Sequence, residues 1–228
     1  MATVLETKSL YKIYHVGELE VRALDGVDFA AEEGDFISIM GPSGSGKTTL
    51  LNLIGCIDRP TGGDVFVSGR AVSSLSDSEL DRLRLQKIGF VFQRVNMIPI
   101  LTAAENVELP MELAGMDRAA RRARAKELLD AVGLARRAHH RPAQLSAGEQ
   151  QRVGIARALA NNPDVILADE PTGNLDSQTA AGIMQLLSDL NSRHNQTLII
   201  VTHDPEVGAI AHRALTIRDG NFVLSGHS

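Results

Sequence analysis

Four short runs of mostly apolar residues, rich in β-branched side chains, stand out along the chain: Phe36–Met40, Ile88–Phe92, Val165–Ala168 and Leu198–Val201. The last two are apolar at every position, which is the pattern of strands covered on both faces, as in a parallel sheet under helices. Between the runs the apolar positions recur at helical spacing. Helices are predicted over Gly46–Ile54, over Ser146–Asn161 with Pro163 closing the stretch, and from Ser177 to about Ser192. This alternation of strand and helix predicts an α/β protein. From about Gln93 to Asn162 helical spacing dominates and no convincing strand is visible. Within it Asp117–Val132, rich in alanine, arginine and leucine, reads as a helix with Gly133 as its stop. The first 35 residues and Asp64–Ser68 read as antiparallel strands, and Leu215–Leu224 as a terminal hairpin turning at Asp219-Gly220. The expected organisation is a single domain over 1–228. Residues 1–92 and 163–228 form its mostly parallel core with an antiparallel β subdomain, and residues 93–162 an inserted helical subdomain.

Composition narrows the class. The chain has 228 residues, 43% hydrophobic and 22% charged, with 23 basic against 28 acidic side chains and a formal net charge of -5. So many apolar residues and so small a net charge exclude disorder as the main state. The length suffices to bury a core without disulfide or metal staples. Apolar stretches such as Thr197–Thr202 fall far short of the roughly 18 to 20 residues of a spanning helix, and no secretory leader is expected. The single cysteine, Cys56, has no internal disulfide partner, in keeping with a reducing cytosol. It is expected to be a small buried residue. The mildly acidic balance argues against a broad nucleic-acid surface. The charges of Arg118–Lys126 read accordingly as a solvated helix face with no aromatic platform beside it.

The first chemistry lies directly after the Phe36–Met40 run. Gly41-Pro42-Ser43-Gly44-Ser45-Gly46-Lys47-Thr48 fits G-x-x-x-x-G-K-[ST], and a predicted helix follows. Glycines let the backbone curl so that its N–H groups point at phosphate oxygens, and the helix offers its positive end to the same anion. Lys47 is expected to reach the β- and γ-phosphates, Thr48 to hold Mg²⁺ and Thr49 to meet the α-phosphate. The alternative is a glycine-rich loop that happens to contain lysine, but this four-position pattern arises by chance in roughly one chain of this length in a hundred. The strand before it and the helix after it make accident rarer still.

Val165–Ala168 runs into Asp169 and Glu170 at the edge of a parallel sheet where ligands sit. Asp169 is expected to hold Mg²⁺ through water. Glu170, pointing the other way, is expected to orient or deprotonate an attacking water. Alone, two carboxylates after a buried strand are often an ordinary turn; paired with the phosphate loop they become a catalytic reading. His203 follows the Leu198–Val201 run on the same edge, ahead of Asp204-Pro205, a good helix start. That position favours a sensor of the γ-phosphate over a purely structural histidine.

Leu145-Ser146-Ala147-Gly148-Glu149-Gln150-Gln151-Arg152 opens a predicted helix, and Ser146-x-x-Glu149 is a capping box in which each side chain satisfies a free backbone N–H. A helix N-terminus also receives a γ-phosphate well, so both roles can coexist. With the two preceding motifs in this order, the segment resembles the signature of the ATP-binding-cassette (ABC) ATPases, commonly Leu-Ser-Gly-Gly-Gln. The resemblance extends over nearly the whole chain. It implies an ATP- and Mg²⁺-dependent P-loop hydrolase with a RecA-like core. By the same resemblance Gln93 is the glutamine that joins the metal site, Asp176 in Gly-Asn-Leu-Asp contributes to the nucleotide interface, His203 is the switch histidine and Tyr14 stacks on adenine. Two copies are then expected to close head-to-tail over two ATP, each held between one copy's phosphate loop and the other copy's Ser146–Gly148. Ala147 and Glu149 depart from the common pattern. A carboxylate beside a triphosphate would repel it by about 1 kcal/mol or more, so Glu149 is expected to turn back onto the cap without touching ATP.

A DNA-maintenance ATPase with a similar head is disfavoured, because the span from Lys47 to Ser146 carries no sustained heptads. A small kinase or GTPase would leave Ser146–Gln150, Asp176 and His203 unexplained. Asn96–Pro110 and Pro171–Asp176 are similar to the branch with lipoprotein-releasing, macrolide-exporting and antimicrobial-peptide-resistance ATPases and a cell-division relative. The resemblance implies an integral membrane permease as partner, no nucleic acid, and a cytoplasmic position on the inner face of the membrane. Val95, Met97, Ile98 and Ile100 suit either a groove for the partner's cytoplasmic helix or packing under the helical subdomain. His139, His140, His194, His212 and His227 are read as structural or exposed.

Overall fold

The computed structural model describes residues 2–17 and 19–223; Leu224 and His227 lie outside the described residues. Two long antiparallel strands, β1 (Thr3–Val16) and β2 (Leu19–Glu32), lead into β3 (Phe36–Met40), which enters a different sheet. A loop and α1 (Lys47–Ile54) follow, then β4 (Gly62–Val67) and β5 (Arg70–Ala71), which return to the first sheet in the order β2-β1-β4-β5. The antiparallel reading of the first residues and of Asp64–Ser68 holds. Along β2 the inward residues Leu24, Val27, Phe29 and Ala31 are buried while their neighbours are not, the alternation of a one-sided sheet.

The second sheet has six strands in the order β10-β9-β3-β8-β7-β6, with β6 (Ile88–Phe92), β7 (Val165–Asp169), β8 (Thr197–Thr202), β9 (Arg213–Arg218) and β10 (Asn221–Val223). Every pairing is parallel except the β9–β10 hairpin. That hairpin turns at Asp219-Gly220, and its first strand also pairs with β3, so it belongs to the main sheet.

Why the central strands are apolar toward both faces is visible in the packing. Ile37, Ile39, Val165, Leu167, Ile199 and Val201 point to one face, into a core shared with α1 and the antiparallel sheet. Phe36, Ile166, Ala168, Leu198 and Ile200 point to the other, into a core with the helices that follow. Successive side chains face opposite ways, and both ways are dry.

Residues 93–162 carry α3 (Ala103–Leu113), α4 (Arg118–Ala131) and α5 (Ala147–Ala158), with single turns at Ala135–Arg137 and Pro142–Gln144. Among the described residues this stretch contains no strand. Capping fixes each helix start. The Asp117 carboxylate accepts from Ala119 and Ala120, and Thr102–Glu105 and Ser146–Glu149 form reciprocal boxes. After β7 comes α6 (Ser177–His194), which Asn195 ends in a left-handed conformation. The remaining helices are α2 (Asp77–Lys87), between β5 and β6, and the single-turn α7 (Pro205–Gly208). Among the described residues no helix is long and apolar enough to cross a membrane.

Candidate nucleotide site

Register alone gathers the site. Across the parallel sheet Met40 lies beside Thr202, Val201 beside Asp169, and Asp169 beside Phe92. The residues that leave these strands, namely Gly41, His203, Glu170 and Gln93, therefore emerge side by side at one carboxyl edge, where open parallel sheets bind ligands. The edge opens into a cleft of about 610 Å³ lined by Ser43, Gly44, Gly46, Lys47, Thr48 and Thr49 on one side. Gln93, Asp169, Glu170 and His203 line the other, and Val21–Ala23 of β2 form its rim.

The loop is shaped by its glycines. Gly46 has φ 104° and stands so close to β2 that a β-carbon would lie 2.5 Å from the Ala23 carbonyl oxygen. No other residue serves there. Lys47 Nζ donates to the carbonyls of Gly41 and Pro42, each at 2.8 Å, so the cation curls over its own loop. Ser45 Oγ is buried with no hydrogen-bond partner among the described residues. The loop thus carries a buried cation and an unpaired hydroxyl, both groups that an anion would satisfy.

At the end of β7 the two carboxylates differ, as alternation predicts. Asp169 is pushed above the ordinary aspartate range by burial and by the negative charge of Glu170, with Lys47 opposing. Glu170 adopts φ 46°, an unusual backbone for a residue with a β-carbon. Its Oε2 accepts from the Thr202 hydroxyl at 3.2 Å; its Oε1 accepts from the His203 N–H at 3.1 Å and lies 2.6 Å from His203 Nδ1. Gln93 is held at the mouth by Asn174, whose amide donates to the Gln93 carbonyl at 3.2 Å. Thr202 and Asn174 escaped the sequence reading. Both act by positioning a neighbour, and no spacing pattern announces that.

Ser146, Gly148, Asp176 and Tyr14 do not line this cleft. Ser146 caps α5 and Asp176 caps α6. A β-carbon on Gly148 would lie 2.4 Å from Thr179 Cγ2, and Thr179 donates to Asp176, so the two helix starts are packed side by side. They form a second surface able to receive an anion. Glu149 turns back as expected: its Oε2 accepts from the Ser146 N–H at 2.8 Å and its Oε1 from Arg137 Nε at 2.9 Å. Tyr14 lies opposite Val21 of the cleft rim, yet its hydroxyl donates to Asp58 at 3.1 Å under the Lys12 ammonium.

A larger groove of about 950 Å³ lies away from this cleft, lined by Leu85, Phe90, Phe92, Asn96, Leu113 and Arg157 among others. Of the expected apolar patch Val95, Met97, Ile98 and Ile100, none lines it. Met97 packs against the helical core, Val95 packs against Gly154, and Ile100 is 75% exposed. For Met97 and Val95 the packing alternative is the observed one. Cys56 is buried as expected, and burial pushes its thiol up to about 12.

A phosphate loop at the carboxyl edge of a parallel sheet, with acidic residues on a neighbouring strand, defines a P-loop nucleotide hydrolase. The comparisons place it more narrowly. The model of the ABC transporter family matches residues 24–173, and the chain belongs to that family, as an ATP-hydrolysing cassette. An uncharacterised ABC transporter ATP-binding protein of Thermotoga maritima is 54% identical over 97% of this chain and 94% of its own. The macrolide export ATP-binding/permease protein MacB of Marinobacter nauticus is 50% identical over 96% of this chain. The chain spans about a third, 34%, of that relative's length. The ATP-binding cassette MJ0796 of Methanocaldococcus jannaschii has been solved as a dimer in a post-hydrolysis state bound to ADP and Pi. It superposes with a TM-score of 0.89 at 50% identity, covering 96% of this chain and 97% of that one.

Proposed function

We propose that this chain is the motor subunit of an export-type or mechanotransmission membrane complex, working as a head-to-tail pair of identical copies around two Mg–ATP. The carrying observation is the division of the nucleotide-binding groups. The cleft holds the phosphate loop, Gln93, Asp169, Glu170 and His203, while Ser146, Gly148 and Asp176 form a separate surface of the same chain. Each half is completed by its counterpart on a second copy. The dimeric state of the MJ0796 cassette supports this reading.

In this mechanism Lys47 exchanges the Gly41 and Pro42 carbonyls for β- and γ-phosphate oxygens, and the N–H groups of residues 41–49 surround the phosphates. Tyr14, paired across the strands with Val21 of the rim, offers its ring to adenine. Thr48, Asp169 and Gln93 supply oxygen donors suited to Mg²⁺, which binds through few protein ligands together with phosphates and water. An ion held by these residues would supply positive charge to the triphosphate and a counter-charge to the buried Asp169. Glu170, fixed by Thr202 and His203, takes a proton from water as its oxygen bonds to the γ-phosphorus. The bond to the β-phosphate oxygen breaks, giving ADP and phosphate. With Nδ1 engaged by Glu170, His203 has Nε2 left for the γ-phosphate.

Residues 93–162 serve as the lever. Arg157 of α5 donates to the Val95 and Asn96 carbonyls at 2.5 and 3.2 Å, fastening the segment after Gln93 to the helix that begins at Ser146. The partner is an integral membrane permease whose cytoplasmic helix enters the groove beside Leu113 and Phe92, which places the chain on the inner face of a membrane. The MacB relatives, which join ATP-binding and permease functions in one protein, favour the macrolide-export and lipoprotein-releasing branch.

Glu170→Gln tests the core of this reading. The variant should bind ATP, lose about 100-fold or more in turnover, and accumulate as an ATP-bound dimer by size-exclusion chromatography with light scattering. Lys47→Ala should lose ATP affinity itself. Normal hydrolysis by Glu170→Gln would remove Glu170 as the base.

A further inference from the structure

We infer that Arg137 is a positioning residue: by neutralising Glu149 it allows the first turn of α5 to receive the γ-phosphate of an ATP held by a second copy. The inference rests on the two-copy reading above and gives that surface its charge balance. Glu149 is the third residue of α5, and its carboxyl is held below the usual glutamate range, first by the Ser146 N–H and also by Arg137. It is therefore a full negative charge beside the free N–H groups of Ala147 and Gly148. A helix N-terminus offers only about half a positive charge. Glu149 alone would leave this end net negative and hostile to a phosphate. One adjacent guanidinium reverses the sign.

Arg137 is built to stay in place. It ends the single turn Ala135–Arg137, whose flanking residues Leu134, Ala138 and His140 are tied to the start of α3 and the end of α4. The Leu134 N–H donates to the Leu129 carbonyl at 2.7 Å, Ala104 to Ala138 at 2.9 Å and Ala103 to His140 at 2.8 Å. Its Nε bonds Glu149 Oε1 at 2.9 Å while its NH1 lies 3.1 Å from His140 Nε2, two partners that the planar fork of arginine addresses together. The pair is an ordinary surface ion pair in stability terms, since Arg137 is 47% exposed, and such pairs hold folds together only weakly. Its effect belongs to the approaching anion.

The test uses the full chain in a Glu170→Gln background at saturating Mg–ATP, with dimer dissociation followed by analytical ultracentrifugation. Arg137→Ala should weaken the dimer about tenfold or more, Glu149→Gln should leave it as tight as the parent's or tighter, and the double variant should return to within about threefold of the parent. Arg137→Ala should keep the parent's thermal midpoint within about 2 °C, and it should bind ATP at its own phosphate loop with unchanged affinity. A dimer as tight in Arg137→Ala as in the parent overturns the inference. So does a double variant as weak as Arg137→Ala, because a scaffold role is not rescued by removing a charge. If the Glu170→Gln parent itself stays monomeric, the two-copy reading fails and takes this inference with it, a result visible before any second substitution.

Discussion

Asp169 is held where its own charge is disfavoured. Burial comes first and the neighbouring Glu170 second, with Lys47 offsetting only part. A raised aspartate pKa means that this group's stabilising contribution is complete below its unfolded value of about 3.9 and is lost as pH rises through the folded value. At neutral pH the carboxylate is a liability to the nucleotide-free fold. Asp169→Asn should therefore raise the thermal midpoint measured at pH 7 without nucleotide, while losing Mg²⁺-dependent turnover. A midpoint equal to the parent's or below it would show that no such repulsion is stored. At this scale four residues of the cleft lining were legible, because Lys47, Thr48, Asp169 and Glu170 sit at fixed spacings after strands. Thr202, Asn174 and Arg137 were not, because each acts through a partner distant in sequence.

Three helix starts share one device, a glutamate carboxylate reaching back to the hydroxyl residue three positions earlier: Ser76–Glu79 on α2, and, with the return bond from the glutamate N–H also made, Thr102–Glu105 on α3 and Ser146–Glu149 on α5. Thr102→Ala removes an acceptor for the Glu105 N–H at 3.2 Å and should cost about 1 kcal/mol in denaturant unfolding. The capping carboxylates are held low by the N–H and hydroxyl groups they accept from. Their contribution is present above the unfolded glutamate value of about 4.3 and fades as pH falls through the depressed folded values. Circular dichroism should record helix loss on acidification at a higher pH in Glu105→Ala than in the parent at equal denaturant. Elements with a strong apolar rhythm were readable from the chain. Helix α2 was not, since only Leu80 and Leu83 along it are buried and, apart from the half-buried Leu85, the rest is charged or polar.

Two cores on opposite faces of one sheet make the molecule, and the groove lies where the second core meets α2 and β6. Leu113 is 68% exposed at its rim, while the half-buried Met97 packs against the helical core. Leu113→Asp should leave the thermal midpoint within about 2 °C and abolish co-purification with a membrane partner. Met97→Asp should instead destabilise the fold by about 2 kcal/mol or more, because it places a charge among apolar side chains. Retention of the partner by Leu113→Asp would move the docking surface elsewhere.

The order of chemistry along the chain, and the strand or helix that carries each group, were determined by the sequence alone. Local rules decide them: the curled glycine loop, continuous apolarity for a doubly covered strand, and the capping box. Tertiary structure decided which groups meet. Parallel register brings residues 41, 93, 170 and 203 to one edge, while Ser146 and Asp176 cap helices outside that cleft. The same packing set Glu149 against Arg137 and Met97 against the helical core. Those outcomes depend on contacts between residues far apart in sequence, and spacing along one segment carries no record of them.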